Sequence, residues 1–172
     1  FLVIAIGAGT YSAFALPAAA TSTSSALYGG NGNGGNGGNG GGVQITAIPA
    51  SDLSAEEAAA LLFMREEEKL ARDVYNQMFA LWGQPVFQNI AASEQTHMDQ
   101  IKLLLDRYGL TDPALAPGQF TDPNLQALYN QLIAQGSVSL ADALKVGATI
   151  EQVDIADLQA RLAKTDNADI QL

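Results

Sequence analysis

Four side chains in this sequence have the types and spacing of metal ligands: Glu68, Glu94, His97 and Glu151. Glu94-Gln95-Thr96-His97 is a Glu-x-x-His step. Residues three apart project from one face of a helix, so a single turn offers a carboxylate able to bridge two ions and an imidazole nitrogen able to complete one ion's ligand shell. Hard carboxylate oxygens with one imidazole suit iron, manganese or zinc better than Cu(I), which prefers sulfur. Taken alone, Glu-x-x-His arises by chance in any acidic helix; register is what raises it here. An apolar stripe stepping three and four residues can be written Leu61, Met64, Glu68, Ala71, Tyr75, Met78, Trp82, and a second Phe87, Ile90, Glu94, His97, Ile101, Leu104, Tyr108. A third, Leu140, Leu144, Gly147, Glu151, Asp154, Leu158, Arg161, is interrupted by acids in the same way. Such stripes face a partner helix. An unpaired charge buried there loses several kcal/mol of hydration, which a multivalent cation held between the helices would offset.

Each candidate also has a plainer reading. His97 alone could be a hydrogen-bonded core histidine. Glu66, Glu67 and Glu68 form a charge run of the kind that marks a solvated face. Glu67 borders Leu70 and Val74 and is the alternative to Glu68. Glu151 with Asp154 could be an exposed acidic turn. Tyr75 is placed to bond an oxygen on a metal, or simply to pack with its hydroxyl satisfied. One geometric condition is strict. Glu68 lies about 14 residues, roughly 21 Å of helix, from Trp82, whereas Glu94 lies about 8 residues, roughly 12 Å, past Val86. The two meet only if Gly83 to Pro85 runs back along the bundle or the first helix frays early.

The elements that must position these groups follow from caps and breakers. Ser54 and Glu57 form a capping box, and the sequence then runs without Pro or Gly to Gly83, predicting helix 1. Gly83-Gln84-Pro85 turns the chain, and helix 2 is predicted from about Val86 to Tyr108, ending at Gly109. A long connection from Leu110 to Val138 contains a short helix opened by Asp122-Pro123 and closed by Gly136. Helix 3 is capped by Ser139 and runs to about Lys164. Asp166-Asn167-Ala168-Asp169 reads as the cap of a further helix that the sequence does not reach.

The formal charge of −10 falls entirely after residue 51, since no Asp, Glu, Lys or Arg precedes Asp52. That disfavours nucleic-acid binding, which wants a basic surface. With no cysteine, disulfides, thiolate metal sites, a cysteine nucleophile and a lipidated cysteine anchor are excluded. Residues 1–20 are apolar and then rich in small residues, with Ala18-Ala19-Ala20 suited to signal-peptidase cleavage. They read as a signal peptide truncated at its start, and the protein as exported, secreted or at the cell surface. The strongly apolar run stops near Leu16, short of the roughly 20 residues a membrane span needs. Residues 21–52, rich in Gly, Asn and Ser, read as a flexible linker, and 53–172 as the helical domain.

Glu68-Lys69-Leu70-Ala71-Arg72-Asp73-Val74-Tyr75, followed by Ser93-Glu94-Gln95-Thr96-His97-Met98, resembles the ferritin-like superfamily, the first piece being similar to the Glu-x-x-Ala-Arg-x-x-Tyr of rubrerythrin-type helices. From about Leu53 onward the chain resembles an archaeal and bacterial ferritin-like domain-of-unknown-function family, often exported, with further signatures in Arg107-Tyr108-Gly109-Leu110, Leu128-Tyr129 and the stretch from Gly147 to Leu158. The resemblance implies an all-α, ferritin-like four-helix bundle with a long crossover between helices 2 and 3. The fourth helix is expected to be missing from this chain, which leaves the domain incomplete at its C-terminus. It also implies a di-iron centre, with manganese as the alternative, and oxidation of iron or a substrate by dioxygen or peroxide. Carried over, Glu68 is the first-helix ligand, Glu94 bridges, His97 is terminal and Glu151 comes from the third helix. The expected partners are metal ions and dioxygen or peroxide, with a homodimer admissible and no nucleic acid. A metal-free surface or interaction module and metal storage without turnover are the competing functions.

Overall fold

The computed structural model describes residues 47–171, and among these the chain is all α-helical, with four helices and no strand. The signal-peptide reading and nearly all of the linker lie outside the described residues. No helix among them is long and apolar enough to cross a membrane.

Helix α1 spans Ala55–Trp82, α2 Pro85–Arg107, α3 Pro123–Gly136 and α4 Leu140–Leu162. The capping box forms as the sequence predicts, Ser54 Oγ accepting from Glu57 N and Glu57 accepting from Ser54 N. Gly83 ends α1 in the left-handed region at φ 63°, its N–H bonded to Phe79 O. Asp122 and Ser139 cap α3 and α4 through their side chains.

The expectation of a chain without its fourth helix does not hold. The short helix in the connection is a full packing member, with α1 touching α2, α3 and α4, and α3 touching α4. Leu125 and Leu132 of α3 are buried in the core shared with α1 and α4, so the short helix expected inside the connection is itself a 14-residue member of the bundle. The segment after α4 departs from expectation too. Asp166 to Asp169 starts no helix. Thr165 and Asn167 instead donate to Glu57, and Tyr108 donates to Asp169 at 2.8 Å, tying the C-terminal segment to the start of α1 and the end of α2. Side chains spent on those distant partners are not available to cap a helix.

The α1–α2 pair is antiparallel with an overhang. Tyr75 packs on Phe87 with ring centroids 6.3 Å apart, although Tyr75 precedes the end of α1 by two turns and Phe87 opens the first turn of α2. The left-handed Gly83 doubles the chain back, and this meets the condition that Glu68 and Glu94 set. The overhanging tip of α1 is used: Trp82 Nε1 donates to Gly136 O at 2.9 Å, fixing the corner between α3 and α4.

The main core gathers Val74, Met78, Phe87, Leu132, Ala143 and Val146, while a smaller cluster of Leu61, Leu104 and Leu105 closes the other end. Between them every residue of α1 from Met64 to Ala71 is buried, among them Arg65, Glu66, Glu67, Glu68 and Lys69. The charge run is thus not a solvated face. Two turns of helix are enclosed all round by α2, α3, α4 and the connection, a situation usually reserved for apolar helices. The third stripe lies only partly on the buried face. Leu144 and Leu158 are exposed, whereas Gly147 of the stripe is buried and Leu140 packs on the core, and α4 adds Ala143, Val146 and Ile150 to its buried face. A Cβ on Gly147 would lie 3.2 Å from the Tyr75 ring.

Candidate metal centre

Glu68 of α1 and Glu94 and His97 of α2 converge. His97 Nδ1 lies 3.1 Å from Glu94 Oε2 and 3.3 Å from Glu68 Oε2, and one ligand atom from each residue falls within a 4.8 Å cluster. Both carboxylates are buried and the imidazole side chain is 46% exposed, so the group has a dry floor and an open lip. Among the described residues neither carboxylate has a Lys or Arg partner within salt-bridge distance; His97 is the one basic group that reaches them.

Electrostatics mark the same place. Glu68 is pushed well above the usual carboxylate range, chiefly by burial, then by the charge of Asp154, a hydrogen bond with Glu94 and the charges of Glu94 and Glu67. Glu67 is pushed up to about 9 by burial and by the nearby Asp157 and Asp154, against the opposing pull of Arg161. Asp154 rises to about 6, again first through burial and then through Glu94 and Glu151, with His97 pulling it down. Several acids enclosed together without matching cations produce this pattern, and strongly perturbed groups in a cluster are candidates for function.

Glu151 stands outside the 4.8 Å cluster. Its hydrogen-bond partner is Tyr75, whose hydroxyl lies 2.6 Å from Glu151 Oε1 and 3.1 Å from Gly147 O. Tyr75 is therefore a packed tyrosine with its hydroxyl satisfied, and burial raises its pKa, with the hydrogen bond to Glu151 as the next cause. The bare glycine in the third stripe was the available sign of this close approach.

The donor set fits a hard or borderline cation: two carboxylates and one imidazole nitrogen with ligand atoms within 4.8 Å of one another, and an exposed lip for exchange. The pattern did not separate from this group a second set of charges on the same two turns. Arg65 donates to both oxygens of Asp112, at 3.0 and 2.8 Å, and also to Met98 O. Glu66 accepts from the Thr121 hydroxyl and the N–H groups of Thr121 and Asp122. Lys69, wholly buried, donates to Asp73 at 2.7 Å and to the carbonyls of Ala116 and Gln119, and sits 4.2 Å from the centre of the Phe120 ring. The i,i+4 spacing of Lys69 and Asp73 was the readable hint.

Residues 57–172, which contain all four candidate ligands and helices α2 to α4 whole, match the family described as "Uncharacterized protein domain (DUF2202)". The uncharacterized protein MJ0754 of Methanocaldococcus jannaschii is 51% identical over 128 residues, 73% of this chain and 69% of the relative. The crystal structure of the hypothetical protein MJ0754 from Methanococcus jannaschii is similar with a TM-score of 0.70 at 51% identity, covering 72% of this chain and 71% of that one. A two-thirds match by family profile, together with a relative alike in both sequence and fold, places the chain in the DUF2202 family.

Proposed function

We propose that this chain is an exported, ferritin-like di-metal carboxylate protein that binds iron, or manganese in its place, and uses dioxygen or peroxide to oxidise iron or a substrate. The observation that carries the reading is the convergence of Glu68, Glu94 and His97 within 4.8 Å with no Lys or Arg on either carboxylate among the described residues. The antiparallel α1–α2 pair followed by a long connection supports a ferritin-like bundle. Export rests on the apolar N-terminal run ahead of the Gly-Asn segment.

In this reading Glu68 and Glu94 would hold the metal through carboxylate oxygens, with Glu94 as the shared ligand, and His97 would provide the nitrogen at the solvent lip. Glu151, across the Tyr75 hydroxyl, is the α4 ligand to the second ion. A bound metal pair would supply electrons to dioxygen or peroxide. The chain's own residues hold charge and protons: the carboxylates lose the protons that burial favours when a cation enters, and Tyr75 keeps Glu151 oriented.

Anaerobic titration of the full chain with Fe(II), with bound iron counted by elemental analysis, should reach about two ions per chain. Admission of air should then oxidise that iron faster than free Fe(II). Failure to take up iron or manganese rejects the proposal, and uptake without faster oxidation assigns storage.

One feature of the geometry favours a metal-free module. His97 Nδ1 sits between the two carboxylates, where an imidazolium would satisfy both. In that case His97→Ala lowers stability in chelator as much as in metal.

A further inference from the structure

A small cavity of about 30 Å³ lies among α1, α3 and α4, with no α2 residue in its wall. The wall is almost wholly apolar and sorts by depth. Leu70, Leu125, Leu132 and Ile150 are buried and form the floor. Leu128 and Val153, both half-buried, form a mouth between α3 and α4 beside the exposed Thr149. The polar groups of the wall are engaged elsewhere. Thr149 spends its hydroxyl proton on Lys145 O at 3.0 Å, and Glu67 is hydrogen-bonded to Asp157 and drawn by Arg161. Asp154 bears on Glu68 and feels the charges of Glu94 and His97, which places it against the candidate metal centre.

The occupant follows from size and chemistry. About 10–15 Å³ of such space holds one water, so the cavity takes one very small molecule and no organic ligand. A buried water needs two to four polar partners, and a floor of leucine and isoleucine offers none. An ion fares worse, since it would shed its hydration against hydrocarbon. A neutral apolar diatomic loses almost no hydration on entry and gains dispersion contacts with the surrounding methyl groups. Position matters as much as chemistry. Ala71, the smallest side chain of the wall, stands one turn from Glu68 along α1 and leaves little bulk on that side. The inner end therefore lies beside the Glu68, Glu94 and His97 cluster, while His97 itself opens to water from α2, its side chain 46% exposed.

We propose that this cavity is a dioxygen site, an apolar antechamber through which dioxygen reaches the metal centre from between α3 and α4 while cations enter at the His97 lip. The inference rests on the metal-centre reading and adds to it a separate route for the oxidant. The division has a physical reason. A cation follows negative charge and oxygen or nitrogen donors, whereas an apolar gas follows hydrocarbon. Leu128 and Val153 set the width of the mouth, and Leu132 and Ile150 supply the surface on which the gas rests.

Dioxygen is paramagnetic, so it can be followed directly in the metal-free full chain by methyl NMR under dioxygen pressure, with nitrogen as the reference. Relaxation of the Leu132 and Ile150 methyl groups should be enhanced several-fold more than that of Leu61 and Leu105, which are comparably buried at the other end of the domain. Val153→Phe, which fills the mouth, should abolish the difference. In the iron-loaded chain the same substitution should slow oxidation by dioxygen several-fold, with iron stoichiometry and oxidation by peroxide, a polar oxidant suited to the wet lip, unchanged. Leu128→Phe takes its place should Val153→Phe not fold, as judged by circular dichroism. Equal enhancement at both ends of the native chain overturns the dioxygen site, and an unchanged dioxygen rate in the plugged chain overturns the route. Absence of iron uptake overturns the route together with the metal reading, and is told apart from failure of the cavity because the methyl measurement needs no metal.

Discussion

Two neighbouring faces of α1 carry the same kinds of side chain and treat them in opposite ways. On the face turned to the α2–α3 connection, Arg65, Glu66, Lys69 and Asp73 are buried, and each is matched by opposite charge, backbone carbonyls or N–H groups from residues 98–122. On the faces turned to α2 and α4, Glu67 and Glu68 are equally buried, yet the Glu67 Oε2 is unpartnered and Glu68 meets another acid and a histidine. The first face is a clamp that fastens a 15-residue connection to the central helix. Among the described residues, the second holds Glu68 and Glu94 buried with no Lys or Arg within salt-bridge distance, and this is the arrangement on which the proposed metal centre rests. Burial of charge therefore does not by itself indicate function; the partner inventory does.

The largest expected effect would come from breaking the clamp. Lys69→Met leaves Asp73 and two carbonyls without their shared cation in a fully buried setting, and should cost about 3–5 kcal/mol in urea denaturation. The same substitution should barely alter metal affinity per folded molecule. A loss of metal binding that exceeds the loss of folded protein would merge the two faces into one function.

The second effect is the mirror image. His97→Ala or Glu94→Gln should weaken Fe(II) or Mn(II) binding by about 100-fold or more, since even supporting residues around metals are worth 10–100-fold. Metal-free unfolding free energy should move by less than about 1 kcal/mol, the scale of half-exposed ion pairs. Calorimetric titration paired with chelator-treated denaturation checks both halves. A third, smaller change belongs to the clamp again: Thr121→Val removes the hydroxyl that donates to Glu66 and should lower stability by about 1–2 kcal/mol.

The faces should also differ in the sign of their pH response. Glu67, Glu68 and Asp154 hold raised pKa values in the folded chain, chiefly through burial, so the folded state keeps protons that the unfolded state has released. Their contribution to stability falls as pH climbs from the ordinary carboxylate range, through about 6 for Asp154, toward about 9 for Glu67. Asp112 behaves the other way. Burial raises its pKa, but the Arg65 hydrogen bonds more than offset this and hold it low, so its contribution is present above the ordinary range and lost as acid protonates it. Melting temperature against pH in chelator should therefore decline on the alkaline side, and saturating metal should flatten that decline. A metal-free curve level from pH 5 to 9 would contradict the account of the second face.

Much of the helix layout was readable because its signals are local. The Ser54 and Glu57 box, Gly83, Asp122-Pro123 and Ser139 mark helix ends through bonds made within three or four residues. Glu68, Glu94 and His97 could be picked out because a charge in an apolar stripe is an anomaly that spacing alone exposes. The third stripe held only in part: Gly147 is buried, but Leu144 and Leu158 are exposed. Leu144 is more apolar than Ala143, but tight helix contact, not hydropathy, chose the buried face of α4. Nor could spacing show that α3 is a packing member, or that Asp169 accepts from Tyr108 rather than opening a helix.

By itself the chain determined where helices start and stop, which residues share a turn, and that acids stand in line with apolar neighbours, since these depend on backbone geometry over a few residues. Tertiary structure alone decided which acids would find partners. Lys69 and Glu68 are adjacent in sequence, and one faces loop carbonyls while the other faces a second carboxylate, because a helix turns each successive side chain by about 100° toward different distant segments.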